Sequence, residues 1–281
     1  MPQAIVEDNS SLMESLAKLA PDSSKTTLRS WIKEGRVTVD GRLAKRGDDP
    51  VTKGQKILVS AKQLMIAEKL RVVYEDSDLI AIDKPVGVLS VETAFDKTET
   101  AHAILKHHFH PRKVAVVHRL DQDTSGVMLF ALSDKGYHGL KELFAKHDIE
   151  RSYFAVVEGK IAPNKGTWQS YLYEDSLYVV HSTDDPKKGT IAITHYDVQS
   201  TSPRYTLLKL TLETGRKNQI RVHCREAGCP VVGDKKYGAV TNPLKRMCLH
   251  ASTLSFIHPV TQKAMHFVSP IPDAFYQLTK A

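Results

Sequence analysis

From Arg71 to Glu213 the chain runs through a series of strand-length apolar segments separated by short polar turns. RVVYEDSDLIAIDKPVG reads as two strands joined by the turn Glu75 to Asp78 and closed by Lys84-Pro85, and KVAVV, VMLFALS, RSYFAVVEG, GTWQSYLYE, SLYVVH, GTIAITHYDVQ and YTLLKLTLE follow. Antiparallel strands need only a few connecting residues, whereas parallel neighbours need a crossover of a dozen or more, usually helical. Three stretches in this region read as helices. TETAHAILKHHF would be capped by Thr98 or Thr100, a second runs from about Asp134 to His147, and TGRKNQIRVHCREAG would start at Thr214 and stop at Gly228. Strands outnumber helices, so the pattern favours an α+β domain built on a mixed, mainly antiparallel sheet over a doubly wound one. No GxGxxG or Walker sequence opens a helix, so no nucleotide cofactor is expected.

The N-terminal part reads differently. Leu12, Leu16 and Leu19 recur at helical spacing until Pro21 and Asp22. Next, SSKTTLRSWIKEG puts Leu28, Trp31 and Ile32 on one face and Lys25, Arg29, Lys33 and Arg36 along another, with Gly35 suited to a left-handed stop. VTVDGRLA alternates around Asp40-Gly41, a dipeptide of tight hairpin turns. Residues 23–62 hold ten Lys or Arg against four Asp or Glu, hence +6 of the formal +7 of the whole chain. So local an excess suits phosphate neutralisation along RNA better than a merely solvated surface. Here IKEGRVTVDG (32–41) and VTKGQKILVS (51–60) resemble the S4 RNA-binding module, so residues 10–62 are expected to be a small S4-like RNA-binding domain. A linker over 63–70, within AKQLMIAEKL, would lead to a catalytic domain over 71–281.

HRLDQDTSG (118–126) lies between two apolar strands and packs two cation-capable side chains, two carboxylates and a Thr-Ser-Gly turn into nine residues. An Arg–Asp pair in a loop is usually a weak surface ion pair. The nonapeptide is more specific than that. With RSYFAVVEG (150s strand, carrying Tyr153) and TGRKNQIRVH (carrying Arg221), and with DKPVG, GDKKYG and LHASTLSFIHP in support, it resembles the RluA-type pseudouridine synthases, which isomerise uridine within RNA. Arg151-Ser152-Tyr153 stands where that family commonly has Lys-x-Tyr, and Lys217-Asn218 where Thr-His is usual.

The resemblance implies a set of roles. Asp121 would be the catalytic carboxylate acting at the sugar, as a nucleophile at C1′ or by a proton abstraction that leads through a glycal. Arg221 would be the fixed cation that favours an ionised carboxylate in a closed pocket. Tyr153 would stack on the flipped uracil, its phenol positioned to help remove the C5 proton. Arg119 would fill the space the base vacates and contact its phosphate, while Lys25, Arg29, Lys33 and Arg36 would bind RNA backbone. Asp123 reads as structural, since carboxylates two apart in a turn need not converge. The favoured substrate is 23S ribosomal RNA, with transfer RNA second and a non-catalytic RNA-binding or ribosome-assembly factor as the rival.

Metal and cofactor readings are weaker. Cys224, Cys229 and Cys248 form no CxxC pair, His223-Cys224 fits no zinc spacing well, and KHHFHP (106–111) suits helix-end charge or RNA contact better than a metal. No cofactor and no metal are expected. The start, MPQAIVEDNS, has no leader pattern, and nowhere do eighteen apolar residues run together. A cytoplasmic monomer without membrane contact is the expectation.

Overall fold

The computed structural model describes residues 3–60, 64–67, 69–92 and 99–280. Thr98, Lys62, Gln63 and Glu68, named or spanned by the expectations above, lie outside the described residues. Two compact units divide the chain, Met1–Leu64 and Met65–Ala281.

In the first unit, strands β1 (Gln3–Ile5) and β2 (Ser10–Ser11) precede helices α1 (Leu12–Leu19) and α2 (Lys25–Lys33). Strands β3 (Val37–Val39), β4 (Arg42–Leu43), β5 (Pro50–Val51) and β6 (Lys56–Val59) follow, with sheet order β1-β6-β3-β4 and a separate β2-β5 pair. Ser11 and Glu14 form a reciprocal capping box on α1, and Ser24 caps α2. Leu12, Leu16, Leu28 and Ile32 interlock with Val37, Val51, Ile57 and Val59. Burial of that stripe leaves Lys25, Arg29 and Lys33 exposed on the other side of α2. Gly35 takes φ 66 beyond the helix, and Asp40 (φ 49) and Gly41 (φ 78) make the tight hairpin turn.

The second unit begins with β7 (Leu64–Ile66), a strand where a linker was expected, at the edge beside β8 (Leu70–Glu75). Then come β9 (Leu79–Lys84), α3 (Ala101–Phe109), β10 (Ala115–Val116), β11 (Ser125–Ala131), α4 (Asp134–Lys146), β12 (Glu150–Glu158), β13 (Lys165–Glu174) and β14 (Val180–Thr183). The chain ends with β15 (Thr190–Thr201), β16 (Tyr205–Leu212), α5 (Gln219–Glu226), β17 (Leu249–Ile257), β18 (Ala264–Val268) and α6 (Asp273–Leu278). The sheet order is β14-β13-β15-β16-β12-β17-β11-β9-β8-β7, with β10 on β11 and β18 on β17. From β8 to β14 every neighbouring pair is antiparallel except β11–β17, which is parallel over Ser125 and Gly126. The architecture is α+β, with a mixed and mainly antiparallel sheet.

Three local expectations are corrected. Thr214 does not cap α5: its hydroxyl donates to Gln219 Oε1 and accepts from the Ile193 amide, and the helix starts only after Asn218, which adopts a left-handed conformation (φ 54). SLYVVH is mostly a turn, because Asp175 Oδ1 accepts the amides of Leu177 and Val179 and bends the chain before β14. KVAVV pairs over only two residues, since Val114 and Val117 turn into two separate core clusters.

Strand β11 is buried along its whole length. Met128 and Phe130 pack against Ile80, Ile82, Ile104 and Leu105, while Val127 and Leu129 face Leu79, Ala81 and Leu140. At its start the parallel neighbour comes so close that a Cβ on Gly126 (φ 117) would lie 2.1 Å from the Ala251 carbonyl oxygen. Gly87 also has positive φ but faces open space. Gly126→Ala is therefore expected to cost at least about 2 kcal/mol in urea denaturation, and Gly87→Ala only about 1 kcal/mol, the difference being backbone clash.

Candidate active site

The chain leaves β10, passes through Val117–Thr124 without regular structure and enters β11. His118 anchors the start of this loop. Its ring stacks on Phe144 at 4.5 Å, and its Nε2 accepts the Leu129 amide at 2.9 Å on the stretch of β11 between its β17 and β10 partners. Burial, with the nearby Arg151 charge adding to it, pushes the imidazole down to about 3, so the ring is neutral with its proton on Nδ1.

The segment that follows β9 holds the rest of the loop. Ser90 Oγ donates to the Leu120 carbonyl at 2.6 Å and accepts the Leu120 amide at 3.1 Å, and the Gly87 amide donates to Gln122 O at 2.9 Å. Lys84, fully buried, donates through Nζ to the carbonyls of Pro85, Val88 and Gln122 at 3.0, 2.7 and 3.0 Å. Burial lowers its ammonium to about 8, against the nearby negative charges of Asp121 and Asp123. The Thr124 amide donates to Asp121 O at 3.1 Å and closes the turn, leaving Asp123 exposed.

Asp121 meets Arg221 from α5. Arg221 Nη1 donates to Asp121 Oδ2 at 3.0 Å and to Asn218 Oδ1 at 3.2 Å. The other side of the guanidinium is gripped by Asp234, with Nε to Oδ2 at 2.6 Å and Nη2 to Oδ1 at 2.8 Å. Tyr237 lies 4.8 Å under the guanidinium and its hydroxyl accepts from Asn218 Nδ2 at 2.9 Å. Side-chain exposure falls from 29% at Asp121 through 12% at Arg221 to 2% at Asp234, so the ion pair is closed behind and open only at Asp121. Burial alone would weaken the guanidinium's hold on its proton, but the Asp234 hydrogen bonds and the two carboxylate charges outweigh it and raise it above its ordinary value.

Asp121 and Arg221 open into a cleft enclosing about 400 Å³ with its mouth, where Tyr153 from β12, Leu212 and Leu249 supply an apolar wall. Arg119 and Arg216 also line it, and both are exposed. Burial raises the Tyr153 phenol, the Arg151 charge opposes that, and the Asp121 charge adds to it. Arg151 is itself buried, its guanidinium 6.0 Å from the Phe144 ring, in space that the missing side chain of Gly215 leaves open.

Four residues singled out from the sequence, Arg119, Asp121, Tyr153 and Arg221, thus share one cleft. Arg36 departs from the expected RNA-facing stripe: it is half-buried, its Nε donates to Ser60 O at 3.0 Å, and its guanidinium lies 5.1 Å from the Trp31 ring. Sequence reasoning missed Asp234, Lys84, Ser90, Tyr237 and Arg216. Asp234 and Tyr237 lie in GDKKYG and Lys84 in DKPVG, stretches whose resemblance was visible but whose partners are distant in sequence.

Both nitrogens of His223 face hydroxyls, Nδ1 at 2.9 Å from Thr194 Oγ1 and Nε2 at 3.1 Å from Ser170 Oγ. Among the described residues one group, Asp76, Asp78 and His258, has metal-like spacing. Most of its atoms are engaged by the protein. His258 Nδ1 accepts the amides of Val260 and Thr261, Nε2 faces Asp76 Oδ2 at 3.0 Å, and Asp76 Oδ1 accepts the amides of Asp78 and Leu79.

Residues 78–226 match the family model described as RNA pseudouridylate synthase, and residues 12–57 match the S4 domain. The ribosomal large subunit pseudouridine synthase D of Haemophilus influenzae is 33% identical over 298 aligned positions, covering 96% of this chain and 90% of the relative. An uncharacterized RNA pseudouridine synthase of Bacillus subtilis is 31% identical over 92% of this chain and 89% of its own. The solved structure of human RNA pseudouridylate synthase domain containing 1 superposes with a TM-score of 0.61 at 25% identity, over 72% of this chain and 84% of that one.

His118 makes a pH prediction possible. Its folded value, about 3, lies below the ordinary 6.5, so between these limits the unfolded chain holds a proton that the folded chain does not. The stability tied to the neutral ring is complete above pH 6.5 and is lost as pH falls toward 3, by up to about 1.4 kcal/mol per pH unit. Urea midpoints measured from pH 7 to 4 should fall less steeply for His118→Asn than for the wild type, and parallel curves would remove His118 from this account.

Proposed function

Because the chain belongs to the RNA pseudouridylate synthase family, we propose that it isomerises specific uridines to pseudouridine in large-subunit ribosomal RNA, acting as a cytoplasmic monomer. The observation that carries the reading is the line Asp121–Arg221–Asp234, open to a cleft walled by Tyr153. The unit carrying the S4 match docks the RNA through the exposed Lys25, Arg29 and Lys33, and the residues from 71 onward do the chemistry.

Chemistry on a stacked base requires its removal from the stack, at a cost of a few kcal/mol. In this reading Arg119, exposed at the cleft, follows the flipped nucleotide's phosphate and occupies the vacated space. Uracil lies against the Tyr153 ring, and Asp121 acts on the sugar. The N1–C1′ bond breaks with its electron pair on the departing uracil. The base turns over within the cleft and its C5 bonds to C1′. The C5 proton is then lost, Tyr153 assisting, and N1 gains one, so no cofactor enters the balance. Arg221 keeps Asp121 oriented toward the cleft, and Asp234 keeps Arg221 from turning away. Attack of the carboxylate at C1′ and abstraction of the C2′ proton both use this arrangement.

Pseudouridine mapping by carbodiimide labelling and reverse transcription tests the reading, in cells lacking the protein and in cells complemented with wild type or Asp121→Ala. Marks in large-subunit RNA should vanish on deletion and return only with the wild type. Marks in transfer RNA alone would move the substrate, and an unchanged map would leave a non-catalytic RNA-binding factor. In vitro, Asp234→Asn should lower kcat by about 100-fold or more while RNA affinity stays within about twofold, since the clamp touches the reacting carboxylate and no phosphate.

A further inference from the structure

From Thr100 to Leu120 the chain contains no Asp or Glu, while it carries Lys106, Arg112, Lys113, Arg119 and five histidines. Residues 65–281 hold 28 Lys or Arg against 24 Asp or Glu, a formal +4, and this run alone supplies four unopposed cations, so it holds the positive excess of the second unit. Its charges are displayed outward. Lys106, His107, His108, His110, Arg112 and Lys113 are all exposed, and among the described residues none forms an ion pair with a carboxylate. Complementing the end of α3 would need only the cations of its last turn, Lys106, His107 and His108, whereas His110, Arg112 and Lys113 lie beyond it.

The segment is pinned at both ends, its start to the catalytic loop through Ser90 and its far end to the carbonyls of Leu132 and Ser77. At the start of α3 the Ala101 and His102 amides donate to Leu89 O and Ser90 O, and Ser90 Oγ bonds Leu120. At the far end Arg112 is a structural pin: its Nε donates to Leu132 O at 3.0 Å, its Nη2 to Ser77 O, and its guanidinium lies 5.9 Å from the Phe109 ring. From Lys113 the chain runs through β10 to Arg119 in six residues, at most about 20 Å. The nine residues of α3 span about 13 Å. The cationic surface is therefore joined to the cleft by at most about 20 Å of chain, which ends at Arg119 on the cleft's lining.

We infer that Lys106–Lys113 is a phosphate-binding platform for the RNA substrate, holding backbone beside the nucleotide that enters the cleft. The inference rests on the proposed reaction only for the identity of the RNA. Fixed outward cations without carboxylate partners suit a regularly spaced polyanion. The three exposed histidines offer no convergent metal geometry among the described residues.

The test compares the full chain with a Lys106→Ala/His107→Ala/Lys113→Ala variant, using an in vitro transcript of large-subunit ribosomal RNA. Arg112 is left in place because it pins the fold. A Lys135→Ala/Lys141→Ala variant on the exposed side of α4 is the control surface. The platform variant should show a log K against log salt slope shallower by about 2, and a KM raised about tenfold with kcat unchanged, while Lys106→Arg/Lys113→Arg retains the wild-type slope. An unchanged slope, or an equal loss in the α4 control, would overturn the platform. If the wild type binds the transcript without modifying it, the proposed reaction fails, and the slope comparison still decides the platform.

Discussion

Arg221 is the interaction on which the site depends, because one guanidinium has to serve two carboxylates without belonging wholly to either. Asp234 takes two of its nitrogens in a bidentate grip and lies almost fully buried, which fixes the plane of the guanidinium. Only Nη1 remains to reach Asp121. An Arg alone beside Asp121 could swing away or collapse into a closed pair that removes the carboxylate from the cleft. With its back held by Asp234 and its face on Tyr237, it can offer one hydrogen bond in one direction. A buried pair of this kind adds little net stability. Its contribution is orientation.

The loop that presents Asp121 is held by different means. Its groups are mostly backbone, and a loop buried against a sheet must have its amides and carbonyls satisfied. Lys84 meets three carbonyls from two segments with one ammonium, Ser90 both donates to and accepts from Leu120, and neutral His118 accepts an amide of β11. Each of these partners is a side chain reaching back to main chain, so the loop is located without a regular ladder. The close parallel contact at Gly126 brings β17 against the same strand, and Arg246, just before β17, donates to Ser125 Oγ at 2.7 Å.

Much of this was legible from the sequence, and unevenly. Alternating apolar strands with short turns announced the antiparallel sheet because pairing of that kind is local in sequence, as in β15–β16. The resemblance of HRLDQDTSG and its companions picked out Arg119, Asp121, Tyr153 and Arg221, which the fold brings to one cleft. Asp234 stayed hidden because nothing in a carboxylate thirteen residues from an Arg announces that the turn after α5 folds back under it. Lys84 reads as an ordinary surface cation until the carbonyls around it are known. Thr214 looked like a cap because Ser and Thr usually are, yet its hydroxyl was already taken by Gln219. In each case the residue type was visible and its partner was not.

Positive charge is used in two opposite ways along one chain. At the cleft it is enclosed and matched: Arg221 is flanked by two carboxylates and the Lys84 ammonium is closed off by three carbonyls, so neither can follow a moving phosphate. On α2 and beyond α3 the cations stand in solvent, where Coulomb attraction to any one phosphate is small and screened within about 10 Å at ordinary salt. Many weak contacts suit an extended polyanion, whereas a single directed bond suits a carboxylate that must keep one orientation. Arg119 stands between these regimes, exposed like the outer cations yet fixed in sequence two residues from Asp121. Under the proposed function that position suits it to pass a phosphate from the screened surface toward the cleft it lines.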